Sequence, residues 1–597
     1  MTVAVDLPRL ELDRPFTYLL PDGEDAGVGT LVSVPFHGRS VKGWILGPTD
    51  DVPKRVLSIR KILSRVSLFG EPDLRVYRWV SERYVAPLAS VIRRAHPPRV
   101  AGEEIRQARP PAELPPFRPP HLLSAYPRGS KLVSACAGGS GAFVLRPLPN
   151  HEAGGCLEAV AACLRGGRDA IVIVPEAEPL PETARVLADA FGDAALVLVG
   201  GDRRDRYRAW LDVLGGRYRV VVGTRPAIFA PLSRVGLVWV NREAHPGHRE
   251  PRSPYYHVRD VALARARLQE AVCVLAAHCP SAEAAALADS GDAALVRQPR
   301  AAERAAAPLV ETVRPERNEI TPRLASALRS AEGAFLLESR RGYGIARVCR
   351  SCGRLAKCAA CGGNVSIREG RPVCLVCGAS APCSACGGTR FGVDRGGTES
   401  VQEWATAMTG SPAHVAETAE QARAPAPGSV VVGTAAAVKD FGPRRVGLVA
   451  VLDADNALTR PGISAPEQTL ATWMEAALWA GPKGSGGRVV VQTRAPADPA
   501  IQALVRWDPW HFHRHERRRR EEAGFPPGFA VFRILGNDGL EQALGELDPE
   551  NVLMSRSGGE AVSLVTLRPD AVSGFRQWVL RHLDDGAVTR VEAEPQL

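Results

Sequence analysis

VCRSCGRLAKCAACGGNVSIREGRPVCLVCGASAPCSACGGTRF, residues Val348–Phe391, is the stretch around which the rest of the chain is organised. It contains eight of the 13 cysteines: Cys349, Cys352, Cys358, Cys361, Cys374, Cys377, Cys383 and Cys386. They fall as four Cys-x-x-Cys pairs separated by five, twelve and five residues. One such pair lets two thiolates grip a tetrahedral ion from a tight turn. Two pairs complete a four-sulfur zinc site, so the stretch predicts two zinc ions per chain. Gly353, Gly362, Gly378 and Gly387 each follow a second cysteine, where the knuckle turn favours a residue without a Cβ. Disulfides are the competing reading. The opening MTVAVDLPRLELDRPF has Asp6 where a signal peptide needs an apolar run, and disulfides are rare in the cytosol. Spacing leaves the pairing open: neighbouring pairs could share an ion, or the outer two pairs could close over the inner two.

The 597 residues imply three to five domains, and 45% hydrophobic content supplies ample core. A net charge of +10 favours a polyanionic partner. Of 75 basic residues only 7 are lysine. This skew reads as codon composition, and it weakens arginine as a sign of phosphate recognition. No apolar run reaches the ~18 residues of a membrane span, so the expected location is cytoplasmic.

Taken in order, residues 1–105 read as a small β domain and a helix. VAVDLP, FTYLLP, TLVSVPF and VKGWILG are strand-like runs, and LRVYRWVSERYVAPLASVIRRA has helical spacing broken by Pro87. Residues 106–130 read as a proline-rich linker. From 131 to 330, AIVIVPE, ALVLVG, RVVVGT, VGLVWV and VCVLAA alternate with helical segments, the pattern of a parallel sheet covered on both faces. SVVVGT, VGLVAVLDAD and RVVVQT repeat that pattern within 331–504, around the cysteine insertion at 349–386. Residues 505–597 form a last domain opening with the basic helix WHFHRHERRRREEAGFPP. Two α/β lobes with a zinc insertion in the second is the outline of a two-lobed helicase motor.

Such a motor needs a glycine-rich phosphate loop ending in Lys and Ser/Thr, carboxylates for magnesium and water, and arginines for transition-state charge. The loop candidate is Gly138, Gly139, Ser140 and Gly141, but Ala142 and Phe143 stand where Lys and Thr belong.

Several blocks in this order, VAVDLP with FTYLLP, VVVGTRPAIFAPL at 220–232, PYYHVRD at 254–260, RRGY at 340–343, the eight cysteines, GTES at 397–400, VLDAD at 451–455 and ERRRREEAGFPP at 516–527, resemble the primosomal protein N′ (PriA) family of bacterial replication-restart helicases. The resemblance implies a multidomain α/β fold. Two RecA-like lobes of superfamily 2 helicase type would carry a small N-terminal β domain that captures DNA 3′ ends, a two-zinc insertion and a C-terminal α+β domain. It implies that Cys349, Cys352, Cys383 and Cys386 share one zinc and Cys358, Cys361, Cys374 and Cys377 the other. It places Phe16, Tyr18 and Lys61 in the 3′-end pocket, with Thr17 replacing the family's Asp.

The same comparison exposes losses. The family's Asp-Glu-Glu-His box falls on Asn241, Arg242, Glu243 and Ala244, its Ser-Ala-Thr-Pro motif on Ala277, His278, Cys279 and Pro280, and its Gly-Arg-x-Gly-Arg motif on Leu478 to Pro482. The expectation is therefore a protein without nucleotide-binding or catalytic residues. It would bind forked or branched DNA at stalled or collapsed forks and recruit primosome and helicase-loading proteins, with single-stranded DNA-binding protein among its partners. Two alternatives stand beside it. One is an ATP-dependent 3′-to-5′ helicase with a divergent site using Lys131 and Glu243; the other is a zinc-dependent protein-interaction adaptor. Asp453 and Asp455 read as structural, and Cys136, Cys156, Cys163, Cys273 and Cys279 as core. Histidines 511, 513 and 515 read as not sharing a helix face, and Arg517 to Arg520 as a solvated face balanced by Glu516, Glu521 and Glu522, with phosphate binding as the alternative.

Overall fold

The computed structural model describes residues 1–595 except 107–108, 117, 316–319, 340–343, 353, 355, 361–364, 369, 375–376, 397, 419, 443–445, 461, 548 and 558–559. Cys361, Gly353, Gly362, Gly397 and the RRGY block lie outside the described residues. The chain divides into two units, one of Met1–Arg300, Gly462–Ala471 and Pro509–Leu597, the other of Ala301–Pro461 and Thr472–Asp508.

The first unit opens with a six-stranded sheet in the order Leu57–Ser58, Phe16–Leu19, Thr2–Val5, Arg39–Gly47, Thr30–Phe36, Lys61–Ser67. Its two end strands are separated in sequence only by Ile59 and Arg60. Ile59 N–H bonds Leu19 O and Arg60 N–H bonds Ser33 O, each at 2.9 Å, so the sheet curls back on itself. Helices Glu71–Arg83 and Leu88–Ala95 follow, split at Pro87. A proline there can begin a helix but cannot continue one.

Seven parallel strands form the first lobe, in the order Ala294–Arg297, Gly141–Arg146, Val272–Ala276, Val235–Asn241, Asp169–Ile173, Val220–Gly223, Ala195–Leu198. Asp169–Ile173 and Val235–Asn241 are buried at every position, as continuous apolar runs covered on both faces should be. A four-stranded antiparallel sheet ends the unit, with helix Val572–Asp584 packed on it.

One apolar cluster joins these parts, with Tyr77 and Val80 from the N-terminal helix, Phe229 and Tyr256 from the lobe, and Phe532 and Trp578 from the C-terminal sheet and helix. Arg83 pairs with Glu594 at 2.7 Å, Tyr84 Oη donates to Asp260 at 3.0 Å, and Arg576 pairs with Asp13. The expected separation at 105 and 505 is therefore a division of sequence, not of core. The expected linker is also shorter than 106–130. Leu123 and Tyr126 are buried in the lobe, and helix Gly129–Gly138 has begun before 131.

The second unit holds six parallel strands, in the order Leu309–Val313, Arg488–Gln492, Leu448–Val451, Ala334–Leu337, Val430–Gly433, Ala413–Ala416. Leu309–Val313 pairs with Arg488–Gln492, so this lobe begins near 301 rather than 331. That strand is partly exposed and too weakly apolar to announce itself in sequence. The cysteine module is inserted after Ala334–Leu337. No helix among the described residues is long and apolar enough to cross a membrane.

Candidate metal centre and the strand-end loops of the first lobe

Two nested hairpins set the cysteine geometry. Strand Gly344–Cys349 pairs antiparallel with Phe391–Gly396, placing Cys349 opposite Phe391 and bringing the first and fourth cysteine pairs together. Inside it, Val365–Arg368 pairs with Arg371–Cys374, placing Val365 opposite Cys374 and bringing Cys358 to the third pair. The sulfurs of Cys349, Cys352, Cys383 and Cys386 lie within 4.8 Å of one another, as do those of Cys358, Cys374 and Cys377. Individual separations are 3.5 Å for Cys349–Cys386, 3.6 Å for Cys352–Cys383 and 3.7 Å for Cys358–Cys377. A zinc ion with Zn–S near ~2.3 Å in a tetrahedron sets sulfurs about 3.8 Å apart. The residues fit zinc, and an all-thiolate set is a closed, structural kind of site. Gly378 and Gly387 take φ of 70° and 71°, the left-handed turn their positions predicted. The backbone N–H of Cys352 is the main influence pulling Cys349 down to about 6. Cys386, although the Gly388 N–H favours its thiolate, is pushed up to about 12 by its neighbours Cys349 and Cys352. Four crowded thiols do not ionise together without a cation.

The first lobe shows where a nucleotide would sit. In a parallel α/β sheet the ligand lies beyond the carboxyl ends of the strands, with phosphate at a helix N-terminus. Gly138, Gly139, Ser140 and Gly141 lie at the other end, in the turn from helix Gly129–Gly138 into strand Gly141–Arg146. They are a turn and not a phosphate loop; Ala142 and Phe143 are strand residues, and Phe143 is buried. The connection in the phosphate-loop position is Pro147–His151, which leads into helix Glu152–Arg165. Glu152 is the first residue of that helix, at the place where a motor carries its cationic lysine.

Its carboxylate is buried. Oε1 accepts the backbone N–H of Arg242 at 3.2 Å, and Oε2 lies 3.5 Å from His278 Nε2. Arg242 pairs through Nη1 with Glu176 at 2.9 Å, and Arg146 donates through Nε to the His278 carbonyl at 2.9 Å. Burial, then Arg146 and Arg242, lowers His278 to about 3, so its ring is neutral. Asn241 ends its strand, and its side-chain Oδ1 accepts from Thr183 Oγ1 at 3.3 Å. Glu243 is fully buried, its pKa raised chiefly by burial, and accepts the Ser281 N–H at 3.0 Å. That carboxylate orders the loop after Val272–Ala276. Lys131 is exposed on helix Gly129–Gly138. Sequence reasoning missed Glu152 and Glu176. The signal was present in FVLR followed by PLPN and a helical run, a strand–loop–helix without glycine.

In the N-terminal sheet, Tyr18 is 5% exposed and packed among Val3, Val32, Val34 and Ile45, and its hydroxyl donates to Pro35 O at 3.0 Å. Phe16 is half-buried. It meets Phe36 edge-on at 5.0 Å, with the Arg14 guanidinium 5.2 Å from its ring centre. Lys61 is exposed and sits opposite Ser33 in register. Thr17 Oγ1 reaches Asp51 O at 3.5 Å.

The basic helix Pro509–Glu522 corrects one expectation. Arg520 is not on a solvated face: it is 2% exposed and pairs with Glu516 at 2.9 Å and Glu467 at 3.0 Å. Burial is the main influence raising Glu467 to about 7, although Arg520 opposes it. The three histidines do not share one face, as expected: His513 Nε2 donates to Pro280 O at 2.7 Å from the buried side, while His511 and His515, four residues apart, lie together with ring centres 5.4 Å apart. Asp453 accepts from Asn456 Nδ2 at 2.7 Å, and Asp455 accepts from Thr493 Oγ1 at 2.6 Å and Arg494 N at 2.9 Å, so both organise local loops. The five scattered cysteines are buried.

Residues 2–97 match the model of a 3′ DNA-binding domain (3′BD) of PriA. Over 571 residues the chain is 33% identical to the probable replication restart protein PriA of Mycobacterium tuberculosis, covering 90% of this chain and 86% of that protein. The chain belongs to the PriA family. The PriA proteins of Mycobacterium leprae and Treponema pallidum are 32% and 28% identical over 572 and 575 residues, covering 87% and 86% of those proteins. The residues matched to the PriA 3′ DNA-binding domain include the N-terminal six-stranded sheet. It is in the first lobe's strand-end loops that this member carries Glu152 and Arg242 in a buried network.

Proposed function

We propose that the protein binds branched DNA at stalled or collapsed replication forks and helps to load the primosome for replication restart, without unwinding DNA itself. The observation that carries this reading is the burial of Glu152 against the Arg242 N–H at the head of helix Glu152–Arg165. A carboxylate there repels a nucleotide phosphate, and Arg242 replaces the carboxylate that would activate water. The family's 3′ DNA-binding domain and the net charge of +10 support the DNA role. Primosome and helicase-loading proteins, and single-stranded DNA-binding protein, are the partners that follow from the family. The two cysteine clusters hold one structural zinc each, the inner one completed by Cys361.

Purified protein is expected to show no DNA-stimulated ATP hydrolysis, beside specific binding to forked DNA in a gel shift. Turnover on the order of 1 s⁻¹ would overturn the reading. Fork affinity should fall by orders of magnitude between low and moderate salt, because each neutralised phosphate releases counterions. A flat salt response would remove the electrostatic basis.

Within the N-terminal domain, Phe16 is the residue proposed to stack on a terminal base, and Lys61 to contact phosphate. Phe16→Ala should weaken binding to a recessed 3′ end by about 1–3 kcal/mol. Tyr18→Phe should leave binding unchanged and cost about 1 kcal/mol of stability through the lost Pro35 bond. Equal binding losses in both variants would argue against Phe16 as the stacking platform.

A further inference from the structure

Around Glu152, the lobe's strand-end loops carry two cations, Arg146 and Arg242, and two carboxylates, Glu152 and Glu176. Arg146 is 2% exposed, Arg242 4% and Glu152 8%. The imidazole of His278 stands beside them, also buried. The charges balance only while Glu152 is ionised, and burial makes an uncompensated charge costly. Three separate connections meet here. Pro147–His151 leads into the Glu152 helix, Asn241–Glu243 ends one strand, and Ala277–Pro280 ends the next. Glu152 reaches the second through the Arg242 N–H and the third through His278. All three lie at the carboxyl ends of the strands, where a sheet of this topology binds ligands, and the head of a helix is where an anion is stabilised.

We propose that the Glu152 side chain is the resident anion of this site, occupying with a carboxylate the place of a nucleotide phosphate and holding the three loops in one arrangement without any ligand. This inference rests on the motor-free reading above. It adds that the nucleotide site is an anion site whose ligand is built into the chain. Remove the carboxylate, and the buried arginines should recruit a small anion from solution.

The test uses the full chain as wild type, Glu152→Ala and Glu152→Gln. Thermal unfolding midpoints are measured while inorganic phosphate is titrated into the millimolar range, against sodium chloride at matched ionic strength. Glu152→Ala should melt several degrees below wild type, and phosphate should recover at least half of that loss along a saturable curve. A saturable curve marks a site, whereas general salt stabilisation does not saturate. Glu152→Gln keeps an acceptor for the Arg242 N–H but lacks the charge, so it should show a smaller loss and a weaker phosphate response. Wild type should not respond beyond the chloride control. A phosphate response that is absent from both variants, or equal in wild type and variants, overturns the inference. If Glu152→Ala yields no folded protein, Glu152→Gln decides by the same curve. ATP turnover by wild type would instead sink the motor-free reading, so the two failures are distinguishable.

Discussion

Stripping zinc from the protein should release about two ions per chain and unfold the cysteine module, leaving the two parallel-sheet lobes folded. The module has little else to hold it. Its described apolar core is Ala356, Cys358, Val365, Cys374 and Ala381, with Phe391 packed beside them. Its strands form two separate two-stranded sheets, an arrangement that is marginal in water without further packing. Zinc in sites of this kind contributes about 10–16 kcal/mol each in small peptides, far more than so small a core supplies. The lobes have their own buried clusters, so their loss should not follow. The measurement is chelator-driven metal release followed with a colorimetric zinc indicator, beside limited proteolysis across Val348–Phe391. Nesting adds a finer expectation. Cys352→Ala should cost one ion and leave the inner hairpin protected, whereas Cys377→Ala should cost one ion and expose it. A purified chain that carries no zinc, or that loses both ions with either substitution, would contradict two independent sites.

Glu152→Lys, the substitution that would make the helix start resemble a working motor, should destabilise the first unit and restore no ATP hydrolysis. Lysine would be a third cation beside Arg146 and Arg242, in a place where Glu152 is now 8% exposed. It would also remove the acceptor of the Arg242 N–H. Breaking a buried, hydrogen-bonded charge arrangement costs about 3–5 kcal/mol, which should appear as a fall of several degrees in the unfolding midpoint. On the motor-free reading proposed above, turnover is expected to be absent from this variant too, because Asn241 and Arg242 stand where the family resemblance puts Asp and Glu. Adding Arg242→Glu reverses the second charge and should recover part of the loss, as contacting residues are energetically coupled. A Glu152→Lys protein as stable as wild type would show that the carboxylate is not integral to this lobe.

The sequence alone determined the chemistry that depends on spacing and identity. Cys-x-x-Cys repeated four times predicts two four-sulfur sites because two thiolates in one turn span one edge of a tetrahedron. Continuous apolar runs such as VGLVWV predict strands buried on both faces. That Asn241 and Arg242 stand where the family resemblance puts Asp and Glu was legible in the sequence. Tertiary structure decided what depends on chain ends meeting in space. The antiparallel register of Gly344–Cys349 with Phe391–Gly396 nests the cysteine pairs, a choice that spacing left open. The glycine cluster at 138–141 looks like a phosphate loop in one dimension, but it lies at the amino end of its strand, where no ligand site forms. Arg520 reads as one of four alike in sequence, yet it is buried against Glu467 from a segment more than forty residues earlier. Local sequence carries side-chain chemistry and periodicity. Which end of a strand faces the site, and which charge finds its partner, is set by topology and by long-range packing that no local window contains.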